Sequence, residues 1–313
     1  MIKFFSFYNN KSPSSAIAAV LGNFDGFHLG HQAIINDLQK IASNDNLPAW
    51  LITFTPHPKI FFDADLKNFL LNDEKEKITL AKKFSLAGVA IIDFNENLAN
   101  LSAENFVKNI LIKKLSTETL LVGKNFLFGK NRSGDITTLS QHGIKKVIPF
   151  DLVKTSQDVV SSSLIRKKIL MGDITAANGL LGRAFSITAP VLHGDQWGRR
   201  IGFPTANLDI YSLFATKKIL PPFGIYAATA MVESYNKTYL AACYHGKRDA
   251  LDHHQAQRLE VHLLDFNDDC YGKKITLHFH HFIRPDKKID NLQKLKKQIT
   301  TDIATIKNSL IIY

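Results

Sequence analysis

Cysteine is scarce in this chain: Cys243 and Cys270 are two in 313 residues. That excludes a disulfide framework and a four-cysteine zinc site, and it suits a reducing cytoplasm. Long apolar runs are missing as well. Although 45% of the residues are hydrophobic, no stretch approaches the ~20 residues that cross a bilayer. The opening Met1-Ile2-Lys3-Phe4-Phe5-Ser6-Phe7 has one lysine and too short an apolar segment for a secretory leader. Basic residues interleaved with aromatics, the usual means of gripping single-stranded RNA, are absent, as are internal repeats and low-complexity segments. Acidic residues are outnumbered 28 to 39, giving a formal charge of +11. Such a surplus favours anionic partners, either nucleotides or a nucleic acid, and does not decide between them.

What is present begins with Val20-Leu21-Gly22-Asn23-Phe24-Asp25-Gly26-Phe27-His28-Leu29-Gly30-His31-Gln32. An apolar run ends in a glycine-punctuated turn, and Ile34, Leu38 and Ile41 then recur at helical spacing. A strand, a tight turn and a helix start offer backbone N–H groups and a positive dipole end to a phosphate. His28 and His31, three apart, fall on one side of a first helical turn, where they can meet charge developing on a nucleotide. Taken alone, the pair also fits a metal half-site or ordinary polar residues at a helix start.

A chain of this length predicts two domains. From residue 16 to about 150, apolar strands at 49–54, 89–93, 119–122 and 146–150 alternate with helical patterns at 32–42, 73–86 and 103–115. Unbroken apolar strands separated by helices predict a parallel sheet covered on both faces, with ligands at the strands' carboxyl ends. After Gly182 the pattern changes to strands at 186–192, 224–232, 237–243, 258–266 and 274–282, which predicts an antiparallel barrel or sandwich. A helix with Leu292, Leu295, Ile299, Ile303, Ile306 and Leu310 on one face closes the chain. The boundary falls near 179–185.

Ser161-Ser162-Ser163-Leu164-Ile165-Arg166 opens another helix, where hydroxyls and an arginine make a second phosphate cradle or a plain serine cap. Thr53-Phe54-Thr55-Pro56-His57-Pro58 leaves a strand through a proline-stiffened turn. The stretch Gly123 to Gly129-Lys130 is not a Walker loop: it has one residue too many, and Asn131 stands where Ser or Thr is required.

Together these pieces resemble the FMN adenylyltransferase module of the bacterial bifunctional riboflavin kinase/FAD synthetases, with Val122-Gly123-x-x-Phe126-x-Phe128-Gly129 and Arg132 extending the match. The resemblance implies a Rossmann-like nucleotidyltransferase domain over residues 1–180 that transfers AMP from ATP to FMN. It implies catalytic roles for His28, His31 and Arg166, the histidines stabilising the α-phosphate and leaving group, and phosphate contacts for Ser161, Ser162 and Ser163 and for Gly22, Asn23, Phe24, Asp25 and Gly30. Phe54, Pro56, Phe126, Phe128 and Arg132 would lie near the flavin. Asn125 stands where the family usually has aspartate, and Ser163 where it has threonine.

In the second half, His193-Gly194-Asp195-x-x-Gly198-Arg199-x-x-Gly202-Phe203-Pro204-Thr205-Ala206-Asn207 is the richest motif. Glycines let a loop close over phosphates, while Thr205 and Asn207 point to one side of an extended segment. Their oxygens are hard ligands suited to Mg²⁺ carried by ATP. In Arg258-Leu259-Glu260-Val261-His262-Leu263 the period of two puts Glu260 opposite the apolar face, available as a proton acceptor. His253, His254, His278 and His280 complete no recognisable metal set.

These segments, with Leu181-Gly182-Arg183, Gly224-x-Tyr226-Ala227 and Tyr271-Gly272-Lys273, resemble the riboflavin kinase module of the same family. The resemblance implies a flavokinase β-barrel over residues 181–313 that phosphorylates riboflavin with MgATP. Thr205 and Asn207 would bind Mg²⁺ and phosphates alongside Gly194 and Gly202, Glu260 would be the general base, and Arg284 would contact the flavin. Two loops depart from the family. Cys243-Tyr244-His245-Gly246-Lys247-Arg248-Asp249, followed by Asp252-His253-His254, replaces an Asn-Ile-Gly-x-Arg-Pro-Thr-like loop, and Arg284-Pro285-Asp286 replaces an arginine followed by glutamate.

The expected partners are therefore riboflavin, FMN and ATP, with neither nucleic acid nor membrane; oligomeric state is not readable. Two alternatives stay open: a chain with the adenylyltransferase alone active, and a flavin-responsive RNA-binding regulator on a decayed kinase barrel. A class I aminoacyl-tRNA synthetase shares the HxGH turn, but no KMSKS-like loop is present.

Overall fold

A computed structural model describes residues 2–6, 13, 15–151, 153–154, 159–194, 196–235, 237–247 and 257–310. The chain divides into two compact units, Met1–Leu66 with Leu70–Ser162, and Lys67–Phe69 with Ser163–Tyr313.

In the first unit, strands β1 (Ile2–Ser6), β2 (Ile17–Leu21), β3 (Ala49–Thr55), β4 (Gly88–Asp93), β5 (Thr117–Gly123) and β6 (Lys146–Phe150) form one sheet. Its order is β1-β4-β3-β2-β5-β6, with β2 to β6 all parallel. The apolar runs explain this directly. Ile17, Ala19 and Leu21 of β2 enter the core on one face, while Ala18 and Val20 enter the core on the other. Trp50 and Ile52 against Leu51, and Ala90 and Ile92 against Val89 and Ile91, divide in the same way. A strand buried on both sides needs no polar alternation.

The helices are α1 (Leu29–Asn44), α2 (Pro58–Phe62), α3 (Glu74–Lys83), α4 (Glu96–Ala99), α5 (Ala103–Asn105) and α6 (Ile136–Gln141). Helix α1 covers one face through Ile34, Ile35, Leu38 and Ala42. The expected helix at 103–115 is instead α5 followed by a π-helical stretch, Phe106–Ile112, which covers the opposite face through Phe106, Val107, Ile110 and Leu111. Because β2 continues to β3 on one side and pairs with β5 on the other, the sheet changes direction at the carboxyl end of β2. The turn 22–28 leaves the sheet at that point. Strand β1 corrects the expectation of a wholly parallel sheet: it pairs antiparallel with β4 as an edge. Five residues weighed only as a possible leader carry no period that identifies a strand.

In the second unit come α7 (Ser162–Leu170), whose first residue belongs to the other unit, α8 (Ile174–Leu181), α9 (Trp197–Arg200), α10 (Ile210–Ala215) and α11 (Leu292–Leu310). Strands β7 (Phe185–Leu192), β8 (Ala206–Leu208), β9 (Gly224–Val232), β10 (Thr238–Lys247), β11 (Gln257–Leu263) and β12 (Lys274–Pro285) close a barrel, β10-β11-β8-β7-β12-β9, antiparallel throughout. Closure selects the barrel over the sandwich. Alternate residues fill it, among them Phe185, Ile187, Ala189 and Val191 from β7 and Leu259, Val261 and Leu263 from β11. Strand β8 is three residues long, too short for its period to mark it as more than an extended segment. The tripeptide Lys67–Phe69 packs with this unit: Phe69 N donates to Lys217 O (2.9 Å), and the Asn68 amide bonds both backbone groups of Leu220.

Candidate active sites

The turn leaving β2 bends sharply, with Phe24 and Phe27 buried at positive φ (47° and 44°). Neighbouring segments hold it. Thr53 Oγ1 donates to Asn23 O (3.0 Å), Ser162 Oγ donates to Asp25 O (2.7 Å), and Gln32 Nε2 donates to Phe27 O (2.9 Å). The Asp25 carboxylate is buried and accepts from the amides of Leu71 and Asn72, both at 2.9 Å. The structure thus gives this predicted phosphate residue to the loop's own scaffold.

His28 caps α1 in an extended conformation, and its Nδ1 accepts from His31 N at 3.3 Å. An accepting Nδ1 carries no proton, so the neutral ring bears its hydrogen on Nε2. The two imidazoles stack with centroids 3.7 Å apart and planes at 16°. The close approach restricts residue 30: a Cβ on Gly30 would lie 3.1 Å from Cε1 and Nδ1 of His28. Burial, then His28, then Lys77 push the His31 pKa well below its ordinary value. Its Nδ1 is buried and has no hydrogen-bond partner among the described residues. No acidic residue occupies the first turn of α1, so its positive end is uncompensated from within the helix.

At the carboxyl end of β3, Phe54 meets Phe94 edge-on (5.7 Å, 89°), and Phe94 also contacts Phe61 and Phe62 (5.3 and 5.8 Å). Phe62 is 72% exposed, an unusual place for a large apolar ring. Of this quartet the sequence reading found only Phe54; the available signal was the Phe61-Phe62 pair just past Pro58. Pro56 follows a cis peptide, and His57 Nδ1 caps α2. Phe126 and Phe128 stack at 5.5 Å, while Arg132 stands exposed at positive φ.

Ser161 is half-buried, but Ser163 is exposed and, with Arg166, belongs to the second unit. Arg166 Nε donates to Phe69 O (2.8 Å), and its guanidinium lies 3.8 Å above the Phe69 ring.

In the barrel, Asn207 of β8 stands opposite Leu192 of β7 and Glu260 of β11. Thr205 Oγ1 donates to Glu260 Oε2 at 3.5 Å, and Arg258 NH1 bonds Glu260 Oε1 at 3.1 Å. Gly194 is pressed against this group, since a Cβ there would sit 2.1 Å from Asn207 Nδ2. Gly202 turns the following loop at φ 91°. His262, on the Glu260 face as expected, donates from Nδ1 to Pro204 O (2.7 Å). A cleft of about 320 Å³ opens beside them, lined by Arg199, Thr205, Val261, Asp268, Cys270 and Tyr271. The ring of His193 stacks on Tyr271 at 4.0 Å.

The structure therefore brings Thr205, Asn207 and Glu260 together. Arg284, expected near the flavin, has its guanidinium on the buried Asp302 of α11 (Nε at 3.0 and 3.1 Å, NH2 at 2.8 Å), and NH1 bonds Pro285 O. Of the altered loop, Cys243 to Lys247 are the last residues of β10; Arg248, Asp249, Asp252, His253 and His254 lie outside the described residues, as does Asp195. Tyr244 stands opposite Glu260, and its hydroxyl donates to Asp286 Oδ2 (3.1 Å). Burial and then Asp286 push the Tyr244 pKa up to about 12. His280 Nε2 bonds Thr229 Oγ1, and among the described residues no three His, Cys, Asp or Glu form a metal cluster. The oxygens of Thr205, Asn207 and Glu260 suit a hard divalent ion that brings further oxygen ligands with it.

No helix among the described residues is long and apolar enough to cross a membrane. The FAD synthetase family model matches residues 10–164, and the riboflavin kinase model matches 181–310. A bifunctional riboflavin kinase/FMN adenylyltransferase of Buchnera aphidicola is 36% identical over 96% of each chain. That of Escherichia coli is 32% identical over 95% of this chain and 93% of its own. A solved structure from Streptococcus pneumoniae, described as a macrolide-efflux protein, is 30% identical, covers 95% of both chains and superposes with a TM-score of 0.85. With matching models in both halves and relatives aligned almost end to end, the chain belongs to the bifunctional riboflavin kinase/FMN adenylyltransferase family.

Proposed function

We propose that this bifunctional transferase makes FAD from riboflavin in two ATP-dependent steps at two separate sites, one in each functional domain. The division falls at 180/181, with residues 1–180 the adenylyltransferase and 181–313 the kinase. Its support is the match of the family models to 10–164 and 181–310.

In the first step the 5′-hydroxyl of riboflavin attacks the γ-phosphorus of ATP, giving FMN and ADP. Glu260 accepts the hydroxyl proton, while Thr205 and Asn207 hold the phosphates, with Gly194 and Gly202 shaping the loop around them. Mg²⁺ carried by ATP would be held by Thr205 and Asn207 and would neutralise phosphate charge. The observation that carries the reading is the meeting of Thr205 and Asn207 with the Glu260 carboxylate beside an open cleft.

In the second step the FMN phosphate, already anionic, attacks the α-phosphorus of ATP and pyrophosphate leaves. No general base is required. The Nε2–H of His28, His31 and the amides opening α1 would stabilise charge that grows on the phosphates, a role supported by the cap and the ring stack. The roles of Asn23, Ser161, Ser162, Ser163 and Arg166 rest on their sequence motifs. Phe54, with Phe61, Phe62 and Phe94, offers a stacking surface for the flavin, and Phe126 and Phe128 offer a second. The substrates are those of cytoplasmic metabolism, and the unpaired Cys243 and Cys270 suit that compartment.

The test is chromatographic. Purified protein is incubated with riboflavin and MgATP, and riboflavin, FMN and FAD are separated over time. FMN rising first and FAD following is the expected course. If riboflavin persists while supplied FMN becomes FAD, Tyr244 and the altered loop have disabled the kinase. If neither conversion occurs, the reading fails.

A further inference from the structure

We infer that Arg258 is the positioning residue for Glu260, fixing its carboxylate toward Thr205 and Asn207; the inference rests on Glu260 being the base of the kinase step. The period of β11 puts Leu259, Val261 and Leu263 inside the barrel, so Arg258, Glu260 and His262 share the other face. On that face the guanidinium reaches forward, with NH1 3.1 Å from Glu260 Oε1. It is itself anchored from behind, since Nε donates to Lys247 O across the β10–β11 ladder (3.3 Å).

The two oxygens of Glu260 therefore have separate partners. Oε1 is held by Arg258, and Oε2 faces the Thr205 hydroxyl. Tyr244, directly across the ladder, flanks the pair: the guanidinium carbon lies 5.7 Å from its ring centroid, and its hydroxyl is tied to Asp286. Side-chain exposures of 35% for Arg258 and 20% for Glu260 put the ion pair partly out of water, where it is screened less than a surface pair. A glutamate has three side-chain torsions. Without Arg258 the carboxylate swings among rotamers, and few of these face Thr205. Anchoring converts those torsions into one approach direction, which acts on the chemical step rather than on substrate binding. Arg258 heads the run that carries Glu260 without an evident role of its own, and only the fold shows what it holds.

The experiment compares R258Q and R258K with the parent chain in steady-state FMN formation, varying riboflavin and MgATP in turn. Circular dichroism melting checks the fold. For R258Q, kcat is expected to fall on the order of 10- to 100-fold, with both KM values within about twofold. For R258K part of kcat returns, since lysine restores the charge but not the planar fork. An unchanged kcat in R258Q overturns the inference, and so does a raised KM for MgATP at constant kcat, which would make Arg258 a nucleotide ligand. R258K no better than R258Q overturns it too. The underlying reading is tested apart: FMN formation that survives in E260Q removes Glu260 as base, whatever Arg258 does.

Discussion

The ring of His28 lies flat on that of His31, 3.7 Å between centroids, while His31 donates its backbone N–H to His28 Nδ1. The stack disfavours two protonated rings at once, and burial already keeps His31 on the neutral side. One contact thus sets the tautomer of the capping histidine, leaving its hydrogen on Nε2.

Replacing His28 by alanine removes that donor and the cap together. FAD formation from FMN should fall about 10²- to 10³-fold, the scale of losing a preorganised donor to a reacting phosphate. FMN formation from riboflavin should persist, and the same chromatographic assay reads both.

Glu260→Gln preserves shape and removes the proton acceptor. FMN formation should drop by about 10²-fold or more while FMN-to-FAD conversion stays at the parent rate. Loss of both activities in a folded variant would contradict two separate sites.

Gly194→Ala asks whether Asn207 must sit where it does. The added Cβ would fall 2.1 Å from Asn207 Nδ2, so the amide has to move. Kinase kcat should decrease roughly tenfold or more with FAD synthesis from FMN unaffected, since a small displacement at a reacting centre is costly.

Arg284→Ala leaves the buried Asp302 carboxylate without its cation. Breaking a pair of this kind costs roughly 3 kcal/mol, so the barrel should unfold at lower urea, followed through loss of kinase activity. A change confined to the KM for riboflavin, with stability untouched, would return Arg284 to a flavin contact.

Acid should destabilise the protein near the imidazole range. The pKa of His31 and that of His245 are lowered in the folded chain, first by burial. The unfolded chain therefore binds protons first as pH falls below about 6.5, and folded-state stability drops from there toward the lowered values. Thermal melting between pH 7.5 and 5 should show this decline. His31→Gln should flatten it, and an unchanged slope would count against His31 as a contributor.

Much of this was legible in the sequence because two periods carry it. Strands buried on both faces, the alternation along β11, the helical stripe of α11 and the turn at His28 all follow from local spacing. That spacing put Glu260 on the polar face of its strand. It also set Thr205 and Asn207 on one side of theirs, and the barrel register then brought the three together.

Spacing assigns a residue to a face but not to a partner, and partners were decided by the tertiary structure. Asp25 sits in the turn whose spacing suggests a phosphate cradle, yet its carboxylate bonds the amides of Leu71 and Asn72, 46 and 47 residues onward. Arg284 and the Phe54–Phe94 contact likewise depend on segments distant in the chain. The sequence by itself determined most of the long elements, the two-part plan and the chemistry available, since backbone propensity and hydrophobic period act over a few residues; β1 and the π-helical stretch 106–112 escaped it. Barrel closure, the antiparallel edge β1 and the choice of which charge pairs with which depend on long-range burial, where an unpaired ion costs most, and only the folded chain settles them.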